Sequence, residues 1–191
     1  MNLLVIAAGI LGLVMLNIPA FIQVLGPAYA GMTMLMFILG ISKLIDLGTG
    51  MNGHILQLSK HWKIDLYTNM FFVVISIILN YWLTRTYGIL GTAIGSLIAI
   101  ILFNFIRFYY IKQIYGLQPF SWRNGLTVLV AGGLTFGLYS ITFHEFIWIN
   151  LFVKSVFFIL LFAFIVIRFN ISPDITELYN MARNRVMRRR S

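Results

Sequence analysis

Between Asn2 and Ile167 the chain runs through six stretches of about twenty predominantly apolar residues, each long enough to cross roughly 30 Å of hydrocarbon. They cover Asn2 to Ile22, Gly31 to Gly50, Ile64 to Leu83, Gly88 to Ile106, Gly125 to Phe143 and Phe146 to Ile167. Backbone N–H and C=O groups in lipid must be bonded within the protein, so each stretch is predicted to be a helix rather than an open strand. Short connections join them: "QVLGPAYA", "MNGHILQLSKHWK", "TRTY", "RFYYIKQIYGLQPFSWRN" and "HE". The fold class expected is all-α, a polytopic membrane protein with six transmembrane helices over residues 1–168.

Composition agrees. Of 191 residues 60% are hydrophobic and 10% charged, too few charges to cover the surface of a soluble domain, where about 25% is usual. The chain has no cysteine, which removes disulfides and thiolate metal sites. "MNLLVIAAGILGLVML" enters apolar sequence without the basic region of a signal peptide, so it reads as a membrane span.

The net charge of +9 is explained by topology rather than by nucleic acid. With six spans both ends share one side, and one assignment brings Lys60, Lys63, Arg107, Lys112, Arg123, Arg168, Arg183, Arg185, Arg188, Arg189 and Arg190 together. Arg85 and Lys154 fall opposite, and Lys43 is intramembrane. Basic residues in short loops favour the cytoplasmic side, so both termini are expected there.

The segment 169–191 changes character and reads as a basic cytoplasmic tail. Ser172 can cap a short amphipathic helix with Pro173 at its first position, Asp174 and Glu177 early, and arginines late, as the helix dipole favours. Its arginines would meet anionic lipids of the inner leaflet. A basic tail that only fixes topology is the plainer alternative.

Signals for an enzyme are weak, and no catalytic, cofactor-binding or metal-binding residues are assigned. The five acids, Asp46, Asp65, Glu145, Asp174 and Glu177, are scattered, so no pair reads as a general acid and base. His54 and His61 lack a third ligand, and His144 beside Glu145 reads as an interfacial loop pair. Lys43 and Asp46 stand out, because a charge at a helix centre costs about 2.5 to 3.5 kcal/mol on the insertion scale. Three residues apart on a helix, they share a face and can pair. Two readings stand: a snorkelling ion pair near the interface, or the wall of a polar cavity where a lysine meets an anionic substrate. In the following "GTGMNG", Gly48, Gly50 and Gly53 either loosen the helix end or serve close packing. Asn69, Ser76, Asn80, Ser96 and Asn104 suit bonds between helices, and Gly91 and Gly95 have the small-residue spacing of a close helix contact.

Four pieces, "LGPAYAGMTMLMFILGISKLI", "GMNGHILQLSKHWK", "ILNYWLTRTYGILGTAIGSLIA" and "IRFYYIKQIYGLQPFS", resemble in that order the C-terminal part of bacterial polysaccharide-biosynthesis flippases. These belong to the multidrug/oligosaccharidyl-lipid/polysaccharide exporter superfamily. The resemblance covers most of residues 1–168. It implies the C-terminal part of a two-lobed transporter that moves lipid-linked oligosaccharide across the bacterial inner membrane by alternating access. The six spans would be the ninth to fourteenth, with the first lobe and the first two helices of the second missing. Such a chain is expected to be a fragment, inactive alone, with a separately encoded N-terminal half as one source of the remainder. The resemblance also implies that basic residues hold the anionic diphosphate-sugar head, which makes Lys43 the first candidate, Asp46 its orienting or ion-relaying neighbour, and Arg107 the second choice. The alternative is a non-catalytic membrane partner or anchor subunit of a polysaccharide-export assembly.

Overall fold

The structure is a computed structural model that describes residues 2–49, 56–116, 122–141 and 146–172, together with Glu177 and Met181. Among these the chain is helical throughout, with no strand. The helices are α1 (Asn2–Leu25), α2 (Met32–Gly48), α3 (Trp62–Tyr87), α4 (Ile89–Tyr115), α5 (Trp122–Tyr139) and α6 (Ile147–Arg168), with one 3₁₀ turn at Pro27–Tyr29. Among the described residues five segments are long and apolar enough to cross a membrane: Asn2–Leu25, Pro27–Gly48, Trp62–Tyr87, Ile89–Tyr115 and Ile147–Arg168. The remaining helix, α5, occupies the place of the fifth expected span and opens on the polar "WRN". Gly50, Gly53, His54, His144 and Glu145 lie outside the described residues, as does the helix expected after Ser172 apart from Glu177 and Met181.

Two expectations about connections are corrected, and the first is "TRTY", which α3 runs through as far as Tyr87 because nothing before Gly88 stops the helix. The loop predicted after Ile106 is helical as far as Tyr115, because "RFYYIKQIY" contains no residue that stops a helix. Gly116 does stop it: at φ 64° it takes the left-handed conformation, and its N–H bonds the Lys112 carbonyl at 3.1 Å. That is the position where glycine escapes the Cβ penalty. The apolar window ended earlier because it registered lipid solubility, whereas the hydrogen-bond ladder continues through polar residues.

The chain divides into two compact units, Met1–Phe21 with Trp122–Ser191, and Ile22–Ser121. The second is built on α4, which packs against α3 on one side and α2 on another. Gly88, at φ 60° and ψ −140°, turns α3 back into α4 and receives α4's first capping bond, Gly91 N–H to Gly88 O at 2.9 Å. Gly91 and Gly95 then let the two backbones close up. A Cβ at Gly91 would lie 1.9 Å from the Leu83 carbonyl oxygen, and one at Gly95 would lie 2.6 Å from Asn80 Oδ1. The close contact expected from their spacing is present. On α2 the buried residues Ile38 and Ser42, continued by Thr49, mark the side turned inward.

In the other unit α1 runs antiparallel to α6. Asn17 Nδ2 donates to Ser155 Oγ at 2.9 Å, and Ser172 bonds Asn2 at the far end. Between them Gly12 sits under Phe158 and Gly9 beside Phe162, whose rings stack with centroids 5.8 Å apart. Lys154 of α6, largely buried, reaches the Tyr139 carbonyl at the end of α5 at 3.3 Å. A cation at a helix C-terminus meets the negative end of the dipole, which helps offset the burial of its charge.

Much of the remaining surface is apolar. Along α3 alone Met70, Phe71, Val73, Val74, Ile77 and Ile78 are exposed. An apolar face of this extent is unusual for a monomer in water, and several long apolar helices are compatible with a multi-pass membrane protein.

Candidate functional site

Polar side chains of the unit Ile22–Ser121 pair along the whole length of the α3–α4 hairpin. The α3–α4 hairpin is a mirror about Gly88. Thr84 and Thr92, four residues to either side, have hydroxyls 2.8 Å apart. Asn80 and Ser96, eight to either side, meet at 3.5 Å. Asn69 and Arg107, nineteen to either side, meet at 3.4 Å, and His61 and Tyr115, twenty-seven to either side, at 3.3 Å. Polar residues placed symmetrically about one glycine thus become hydrogen-bonded rungs along two antiparallel helices. The Asn80–Ser96 and Asn69–Arg107 rungs are part-buried, where a polar group needs such a partner.

The deepest charge lies at the third rung. Arg107 Nη2 forms an ion pair with Asp65, one turn below Asn69 on α3; their side chains are 12% and 6% exposed. Asn69 completes the set: its Nδ2 donates to Asp65 Oδ2 at 2.9 Å and to the Asp65 carbonyl at 2.8 Å, while its Oδ1 accepts from Arg107. The guanidinium carbon stands 4.0 Å from the centroid of the Phe103 ring, a cation–π contact, and Phe103 packs on Phe72 with centroids 4.7 Å apart. Arg107 Nε is buried and has no acceptor among the described residues. Among the described residues the group holds opposite charges together without a second carboxylate or a nucleophile bonded to it.

A second polar contact lies one turn earlier on α4. Asn104 Oδ1 is 2.6 Å from Thr49 Oγ1, and that hydroxyl is also 2.8 Å from the Asp46 carbonyl, so it has one proton for two acceptors. Asn104 Nδ2 returns to the Ile100 carbonyl at 3.0 Å. Through Thr49 and Asn104, the backbone of Asp46 is joined to the helix that carries Arg107.

Lys43 and Asp46 pair on α2 as their spacing predicts, with Nζ to Oδ2 at 3.8 Å. They do not join the Arg107 group. The Lys43 side chain is 70% exposed and that of Asp46 36%, whereas Ser42, next to Lys43 in sequence, is buried. The lysine therefore points away from the packed face of α2. Of the three residues singled out from sequence, two stand together on an open face and the third is enclosed by α3. Asp65 was not among them. The mirror about Gly88 would have found it, since an acid four residues before Asn69 lies one turn from the rung that Arg107 must occupy.

The basic residues of the α3–α4 hairpin lie mostly at one end. Lys60, Lys63 and Lys112 lie at the open end of the α3–α4 hairpin, and Arg85 lies by its turn. In the other unit Arg168 and Asn2 share the end marked by Ser172, and Lys154 lies toward the opposite end. Aromatic residues mark both ends of α3, with Trp62 and Tyr67 at one and Tyr81, Trp82 and Tyr87 at the other, all exposed. Such pairs of girdles are typical of membrane–water interfaces.

Comparison with family models, curated proteins and solved structures finds no match to this chain.

Proposed function

We propose that this chain is the C-terminal segment of a transporter that moves lipid-linked oligosaccharide across the bacterial inner membrane for cell-surface polysaccharide synthesis. Its lysine-rich hairpin end and both termini face the cytoplasm, and α5 is the fifth of six spans. The ordered resemblance of its segments to polysaccharide flippases supports the reading, and so does the gathering of Lys60, Lys63 and Lys112 at the open end of the α3–α4 hairpin.

The observation that carries it is Lys43. An ammonium group on an apolar helix, paired with a carboxylate yet turned away from the packed face, needs polar surroundings if it stays within the membrane. A cavity shared with another helical bundle supplies them. In that cavity Lys43 meets the diphosphate of the lipid-linked sugar and Asp46 orients it. Arg107, the second substrate-binding candidate, is paired with Asp65 at the α3–α4 interface. Alternating access needs two bundles moving about a shared site, so the segment binds substrate but translocates none alone.

The test is binding and translocation in lipid nanodiscs and proteoliposomes, using a polyprenyl-diphosphate oligosaccharide with a fluorescent sugar. The chain should bind this lipid in preference to an uncharged polyprenyl glycoside. Lys43→Ala should weaken binding about tenfold, the loss of one charge-assisted contact worth roughly 1.4 kcal/mol, and Lys43→Arg should retain it. Translocation by the chain alone, or binding indifferent to Lys43→Ala, overturns the reading. Co-purification with another polytopic protein without any binding of the lipid-linked sugar would instead identify a membrane partner or anchor subunit.

A further inference from the structure

The open end of the α3–α4 hairpin carries more positive charge than its own acid can balance. Asp65 is committed to Arg107, and Lys60, Lys63 and Lys112 remain exposed around that pair. The mirror about Gly88 fixes their level. Lys63 is twenty-five residues before the glycine and Lys112 twenty-four after it, so the two stand at one height on adjacent helices, with Lys60 about a turn further out. At 1.5 Å per residue that height is about 36 Å from the turn. The hydrocarbon of a bilayer is about 30 Å thick. With the turn and its aromatic residues at one interface, the lysines stand at the phosphates of the other, while the Asp65–Arg107 pair stays at the hydrocarbon edge.

We propose that this end of the hairpin is a binding site for the headgroup of an anionic phospholipid in the surrounding leaflet. The inference rests on the chain spanning a membrane and is independent of what it transports. Three features favour a lipid over a small anion. The lysines are exposed rather than enclosed, which suits a ligand arriving from the side. Trp62, half exposed on the first turn of α3 and next to Lys63, offers an amphipathic ring at the level of the lysines, among the headgroups. The two helix ends are held together by His61 Nδ1 and Tyr115 Oη at 3.3 Å, with rings edge to face at 6.2 Å, so Lys63 and Lys112 present a shared positive edge. Arg107, occupied by Asp65, is not required to bind the lipid.

Trp62 also reports the binding. In a variant with Trp82, Trp122 and Trp148 changed to Phe, the emission of Trp62 is followed in vesicles containing phosphatidylglycerol or phosphatidylethanolamine brominated on the acyl carbons nearest the headgroup. A lysine near an anionic surface favours it by about fivefold. After screening by salt, the three together should give phosphatidylglycerol about a tenfold advantage in occupancy beside Trp62. Lys60→Gln, Lys63→Gln and Lys112→Gln together should abolish that advantage, and a variant retaining only Trp82, at the other end of α3, should show none. The Trp82 variant bearing the same three glutamines checks by its unchanged emission that the hairpin still inserts. Equal quenching of Trp62 by the two lipids overturns the proposal, and so does a preference that survives the three substitutions. Loss of the preference on adding inorganic phosphate at constant ionic strength also overturns it, because that result describes a small-anion site.

Discussion

Asp65 and Arg107 form an ion pair whose two side chains are almost wholly withdrawn from solvent, linking the start of α3 to the last third of α4. Both helices contribute further to it, α3 through Asn69 and α4 through Phe103. Breaking a buried pair by removing one partner leaves an uncompensated charge and costs about 3 to 5 kcal/mol, whereas replacing both partners by apolar groups is often close to neutral. Asp65→Leu and Arg107→Leu should therefore each lower stability by several kcal/mol, and the double variant should recover to within about 1 kcal/mol of the parent. Unfolding by SDS in mixed micelles, followed by tryptophan fluorescence, measures all three. Additive losses in the double variant would mean that the two residues act separately.

The same hairpin depends on two glycines to unequal degrees. A methyl group at Gly91 meets a backbone oxygen, which no side-chain rotation can move, so Gly91→Ala must push α3 and α4 apart. The first atom met at Gly95 is the amide oxygen of Asn80, which can turn away. Gly91→Ala should cost about 3 kcal/mol, the upper end for overpacking, and Gly95→Ala about 1 kcal/mol. Asn80→Ala should soften the second loss and leave the first unchanged. Measured in the same micelles, equal losses at the two glycines would show that the helices do not approach as closely as the structure has them.

This hairpin was only half legible in the sequence. Apolar length located the helices, and the spacing of Gly91 and Gly95 marked the close approach. The falling hydropathy of "TRTY" suggests a connection, whereas α3 runs through it to Tyr87 and only Gly88 turns the chain. Once Gly88 is taken as the pivot, Thr84 with Thr92, Asn80 with Ser96 and Asn69 with Arg107 fall into register by counting. Without it, these residues are scattered polar positions on two spans. Lys43 and Asp46 were legible as a pair because helical spacing alone brings them together. Asp65 and Arg107 are forty-two residues apart in sequence, and only the turn makes them neighbours. Lys154 was hidden for a related reason: its acceptor is a backbone carbonyl on another helix, and a carbonyl has no signature in a sequence.

In the unit that joins α1 with α5 and α6, the contact of Gly12 with Phe158 should behave as a coupled pair. A Cβ at Gly12 would stand 2.5 Å from Phe158 Cζ and 2.8 Å from Thr135 Oγ1. Gly12→Ala should destabilise by about 2 kcal/mol, within the range for overpacking. Phe158→Leu opens space at the site of the clash, so the double variant should be less damaged than the two single losses together, by about 1 to 2 kcal/mol. Gly9→Ala gives the contrast. Its neighbour is Phe162, so combining it with Phe158→Leu should show markedly weaker coupling.

The absence of cysteine makes the membrane placement directly testable, since any thiol introduced is the sole one in the chain. Gln57, shortly before α3, and Thr86, in its last turn, are both exposed, and the stretch of α3 between them, from Trp62 to Thr86, is about 36 Å long at 1.5 Å per residue. That exceeds the hydrocarbon thickness, so a spanning α3 must place them in different aqueous compartments. In right-side-out vesicles a membrane-impermeant maleimide should label Thr86→Cys and spare Gln57→Cys, with the pattern reversed in inverted vesicles. The direction follows from Lys60, Lys63 and Lys112, which favour the cytoplasmic side together. Labelling of both positions from one side would remove α3 from the membrane. Labelling in the opposite sense would keep α3 as a span and reverse the orientation that the lysines favour.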